Sequence, residues 1–109
     1  MIEFSAAGSP QVVARAIEEY ARAQGHVTAL VVPWESDATR LSMAVTSVKS
    51  DGWAIEHTNL GTITLTEAGP DTTRVAIAPH VPEHDENRRL SALFDRFARQ
   101  LQTRLSAAP

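Results

Sequence analysis

Between Thr39 and Ala78 apolar and polar residues alternate with few interruptions, and this pattern constrains the fold more than any other feature of the chain. Leu41, Met43 and Val45 oppose Arg40, Ser42 and Thr46. Trp53, Ile55 and His57 oppose Ala54, Glu56 and Thr58. Ile63 and Leu65 oppose Thr62, Thr64 and Thr66, and Thr73, Val75 and Ile77 oppose Arg74 and Ala76. A period of two puts each set on one face of a strand, so these segments are expected to bury one side and wet the other. That is the habit of antiparallel sheets. Ser50-Asp51-Gly52 and Ala68-Gly69-Pro70-Asp71 read as turns, because Asp-Gly and Gly-Pro supply the backbone angles that reversals need.

Two further strands complete the sheet. Residues 1–6 place Ile2 and Phe4 on one face, and the Val-rich His26–Trp34 segment follows the first helix. The division Trp53–Asn59 and Leu60–Thr66 gives two strands on either side of Leu60-Gly61. The expected count is therefore about six strands.

Two segments carry the period of a helix instead. Ser9 followed by Pro10 is a helix start, since a serine oxygen caps a free N–H and proline fits the first turn. Val12, Val13, Ala16, Ile17, Tyr20 and Ala21 then form an apolar stripe, and Gly25 supplies a stop. Asn87–Leu105 has the stronger pattern, with Leu90, Leu93, Phe94, Phe97, Ala98, Leu101 and Leu105 on one side. Arg88, Arg89, Arg96, Arg99 and Arg104 lie on the other. Glu83, Asp85 and Glu86 precede this helix, where its dipole favours negative charge. The reading is a single α+β domain over residues 1–105, ordered β-α-β5-α, with a disordered tail at 106–109.

Composition narrows function by exclusion. The absence of cysteine excludes disulfides, thiolate metal sites and cysteine nucleophiles. No apolar run approaches the ~20 residues of a membrane span, and the N-terminus lacks the pattern of a signal peptide, so a cytoplasmic location with no membrane partner is expected. A net charge of −3 gives no general attraction to nucleic acid. The arginines of the last helix lack interleaved aromatics and read as a solvated face.

The stretch GTITLTEAGPDTTRVAI (Gly61 to Ile77), followed by a Leu-rich terminal helix, resembles the Bet v 1/START-like (SRPBCC, polyketide cyclase-like) superfamily. Thr73-Arg74-Val75 matches its strand after a glycine-containing turn, and the opening strand with its Ser-Pro helix start is also similar. The likeness covers about residues 1–20 and 60–105. It implies a helix-grip fold, in which a curved antiparallel sheet and a long C-terminal helix enclose an apolar ligand. The chain departs from that pattern where Gly25 leads straight into a strand, with no second short helix. The competing topology is a TATA-binding-protein-like half, β-α-β4-α, which packs its helices on one face of the sheet and leaves no cavity.

On the helix-grip reading the ligand-binding residues are Met43, Trp53, Ile55, His57, Phe94 and Phe97, with His57 as polar anchor. The bland alternative is that the same side chains interdigitate as a solid core. A second function, a homodimeric protein–protein module, needs no cavity. A third, a cyclase- or hydrolase-like reaction using His57, rests on analogy. No catalytic residue is assigned and no cofactor is expected. His80-Val81-Pro82-Glu83-His84 has two histidines four apart, but Pro82 argues for a solvated loop over a metal site. Trp34, beside Pro33 at a strand end, is a candidate for an interface or a pocket mouth.

Overall fold

The computed structural model describes residues 2–50, 52–80 and 88–106. Its elements run β1 (Ile2–Ala7), α1 (Pro10–Gln24), β2 (Val27–Val31), a 3-10 turn (Pro33–Glu35), β3 (Arg40–Ser50), β4 (Ile55–Gly69), β5 (Thr72–Pro79) and α2 (Arg88–Leu105). The chain is α+β, with one antiparallel sheet of five strands in the order β1-β5-β4-β3-β2. Strands β2 to β5 form a meander. Helix α1 carries the chain from β1 at one edge to β2 at the other.

The count of about six strands is corrected to five. Trp53–Asn59 and Leu60–Thr66 do not form two strands, because β4 runs unbroken from Ile55 to Gly69. The observed order, β-α-β4-α, is the one assigned above to the TATA-binding-protein-like alternative. The expected strand through Trp34 also stops early. It ends at Val31, and Pro33, Trp34 and Glu35 form the 3-10 turn.

The helix ends follow from local chemistry. The Ser9 hydroxyl accepts the Val12 N–H at 3.3 Å, and Pro10 occupies the first turn. At the other end Gly25 takes φ 82° and donates its N–H to the Arg22 carbonyl. The β1–α1 corner is tied to the β4–β5 hairpin. Gly8 donates its N–H to the Asp71 carbonyl, and the buried Thr73 hydroxyl donates to the Gly8 carbonyl at 2.8 Å. Pro70 and Asp71 form that hairpin's turn, with Asp71 in the left-handed region at φ 56°, which Asp enters more readily than most residues.

Both helices pack on one face of the sheet. Val13, Ile17 and Ala21 of α1 and Phe94, Phe97 and Leu101 of α2 share one core with Met43, Val45, Ile63, Leu65, Val75 and Ile77. Burying each large aliphatic or aromatic side chain contributes about 1.5–3 kcal/mol. Helix α1 lies mainly against β2 and reaches across β3, β4 and β5, and α2 lies against β1, β4 and β5. The helices meet where the Tyr20 and Phe97 rings stand 5.6 Å apart, and the Tyr20 hydroxyl donates to Gln100. Thr62, Thr64, Arg74 and Ala76 line the opposite face. Ser106, expected in the tail, pairs with Ala6 in an isolated bridge, and residues 107–109 lie outside the described residues.

Candidate functional site

The site begins with a single extra residue. Val45 pairs with Gly61, and the next residue, Thr46, pairs with Asn59, so Leu60 is a bulge. Gly61 makes room at this point, because the Phe94 ring occupies the space a side chain would need. Leu60 itself is fully buried.

The bulge reverses the facing of everything before it in β4. Beyond it Thr58 pairs with Ser47 and Glu56 with Lys49. Ser47 and Lys49 follow Val45 at intervals of two, so these four residues continue the helix-covered face. His57 pairs with Val48 and Ile55 with Ser50, which puts His57 and Ile55 on the open face. The expectation that Trp53, Ile55 and His57 point into the core is thereby corrected. Trp53 is 98% exposed, Ile55 is 64% exposed and His57 is exposed.

The structure therefore does not bring the six sequence-selected residues together. Met43, Phe94 and Phe97 are core, and Phe94 rests directly against the backbone at Gly61. The space near Phe94, lined by Ile2, Ile77, Pro79 and Ala98, is a slot of about 100 Å³, below the size of ordinary ligand pockets. Trp53, Ile55 and His57 stand on the projecting end of the β3–β4 hairpin. This arm, residues 46–50 with 55–59, has β5 nowhere alongside, since β5 pairs with β4 only from Gly61 onward. Gly52, with φ 92°, is part of its turn, and Asp51 lies outside the described residues.

A cleft of about 780 Å³ opens between the inner side of the arm and the first half of α2. Ser47, Lys49, Glu56 and Thr58 form one wall. Arg89, Leu90, Ala92, Leu93 and Arg96 form the other, and His26 closes one end. The helical wall has a simple origin. Residues 89, 93 and 96 are spaced four and three apart, so they share one face of α2 and set Leu93 between two arginines. Leu90 and Leu93 are half-buried, and they give the cleft an apolar floor. His26 is oriented by its own chain, since Nδ1 lies 2.9 Å from the Gln24 carbonyl.

Arg96 also borders two adjoining hollows. One, of about 170 Å³, is lined by Gln24, His26, Phe97 and Gln100. The other is a broad groove of about 840 Å³ between α1 and α2, where Arg104 stands 4.9 Å over the Tyr20 ring. Among the described residues, Lys49, Arg89 and Arg96 form no ion pair, whereas Arg74 pairs with Glu3 and Arg99 with Asp95.

Sequence reasoning missed this cleft because it depends on the facing of the arm. The available signal was Leu60, an apolar residue out of phase with its neighbours and followed by glycine, which is a bulge signature. His84, Glu83, Asp85 and Glu86 of the acidic segment lie outside the described residues. Among the described residues no group of three His, Asp or Glu side chains could hold a metal, and no helix is long and apolar enough to cross a membrane. Comparison with protein-family models, with curated proteins and with solved structures found no match.

Proposed function

We propose that this chain is a binding module that holds a small, largely apolar molecule between the β3–β4 arm and α2. The observation that supports it most is the apolar floor of Leu90 and Leu93 inside a cleft of about 780 Å³, a volume ordinary for ligand pockets of ~300–1,000 Å³. The resemblance to the Bet v 1/START-like superfamily implies a ligand enclosed between sheet and terminal helix, and this reading keeps the apolar ligand but not that position. The ligand sits beside the arm instead of against Phe94 and Phe97. Contact residues pass from the set expected by alternation to Leu90, Leu93, Thr58 and Arg96.

Native mass spectrometry of the freshly purified protein tests for a co-purified molecule. Titration with N-phenyl-1-naphthylamine, an uncharged apolar fluorophore, tests the cleft directly. Saturable enhancement that Leu93→Ser weakens supports the reading. No enhancement, or one indifferent to Leu93→Ser, overturns it.

A second reading, homodimerisation through the arm, has its own observation. Trp53 and Ile55 are exposed apolar side chains on a two-stranded ribbon, and open strand edges recruit further strands. Light scattering of the wild type and of Trp53→Ser tests it. A strictly monomeric wild type at high protein concentration ends it.

A further inference from the structure

Resting on the cleft as a binding site, we propose that its ligand is an amphipathic anion, with an oxyanion head such as a carboxylate held by Arg96, an apolar body laid on Leu90 and Leu93, and Arg89 adding attraction from the other end of that floor. The charges of the cleft argue for this head group. Lys49 and Glu56 are register partners on its strand wall, so their charges offset one another locally. Among the described residues, the two arginines of the opposite wall are not offset in this way. Neither forms an ion pair among the described residues, and they stand in a chain whose net charge is −3. Counted over its described lining residues, the cleft is positive in a chain that is negative as a whole.

Geometry adds specificity. Arg89 and Arg96 are seven residues apart, two helical turns or roughly 10 Å along the axis, with the leucine floor between and beside them. A guanidinium offers paired N–H donors that match a planar carboxylate, and it is less strongly hydrated than an ammonium group. Arg96 is the principal contact, because it borders the cleft and both adjoining hollows, and the His26 and Gln100 side chains line the space beside it. Thr58 and Ser47 on the facing wall add neutral donors.

The test compares two probes with the same ring system, 8-anilinonaphthalene-1-sulfonate, which carries an anionic head, and N-phenyl-1-naphthylamine, which has none. Wild-type protein is expected to bind the sulfonate at least roughly tenfold more tightly, with binding that weakens as salt is raised. Arg96→Gln is expected to remove most of that preference, and Arg89→Gln part of it, each weakening the sulfonate far more than the neutral probe. Octanoate should displace the sulfonate at a markedly lower concentration than 1-octanol. Circular dichroism establishes that each variant folds. Equal binding of the two probes by the wild type, or an unchanged preference in Arg96→Gln, overturns the head-group inference and leaves the cleft in place. Failure of both probes overturns the cleft itself.

Discussion

The Phe94 ring of α2 lies over Gly61 of β4, so closely that a Cβ on that glycine would come within 2.4 Å of Phe94 Cζ. Gly61 is also the first residue of β4 flanked on both sides, by Val45 of β3 and Pro79 of β5. Helix, bulge and sheet are therefore registered against one another at a single point.

Gly61→Ala is expected to destabilise the fold by at least about 1–3 kcal/mol, the usual cost of overpacking a core. The new methyl would meet the Ala78 carbonyl oxygen at 2.5 Å as well as the ring, and a strand carbonyl cannot swing aside as a side chain can. Urea denaturation measures the change. Adding Phe94→Leu should recover only part of the loss, because the carbonyl clash remains. A neutral Gly61→Ala would contradict the packing described.

Leu60→Ala is expected to cost about 2–5 kcal/mol, the range for a buried leucine truncated in a rigid core. Leu60 is fully buried although it is the unpaired residue of a bulge. The reading that it is a pivot under α2, and not a loop residue, fails if thermal and urea midpoints are unchanged.

Hydrogen exchange should divide β4 at the bulge. Residues 61–66 are flanked by β3 and β5, whereas residues 55–59 have β3 alone. β2 supports the arm only on its β3 side, along Thr46–Val48, so β4 is an edge strand there and the amides of residues 55–59 should exchange much faster than those of Ile63 and Leu65. Uniform protection along β4 would mean the arm is held by a partner.

The loop before β3 should respond to acid. Asp37 Oδ1 accepts hydrogen bonds from the Thr39 N–H, the Thr39 hydroxyl and the Arg40 N–H, and these hold its carboxyl below the ordinary value, the Thr39 backbone bond most strongly. A carboxylate with a depressed folded-state pKa stabilises the fold above its unfolded value of about 3.9, and that contribution disappears as pH falls through the lower folded value. Amide shifts of Thr39 and Arg40 should titrate together with a midpoint below 3.9, and Asp37→Asn should abolish the transition.

Much of the fold was legible in residue order alone. Ser9-Pro10 and Gly25 mark the first helix, and the apolar stripe from Leu90 to Leu105 marks the last. The alternation from Leu41 to Val45 and from Thr73 to Ile77 assigns faces correctly. These signals are local, because capping and periodicity depend on residues a few positions apart.

The facing of Ile55 and His57, and hence the cleft, was decided only in three dimensions. In the chain those residues stay in phase with Ile63 and Leu65, and a period of two has no way to register one inserted residue. Leu60 is absorbed because Gly61 lets Phe94 press against the strand there, a contact between residues more than thirty positions apart. One bulge then turns the arm over, exposes the residues that alternation had placed inside, and leaves Arg89 and Arg96 facing Glu56 and Thr58 across the cleft.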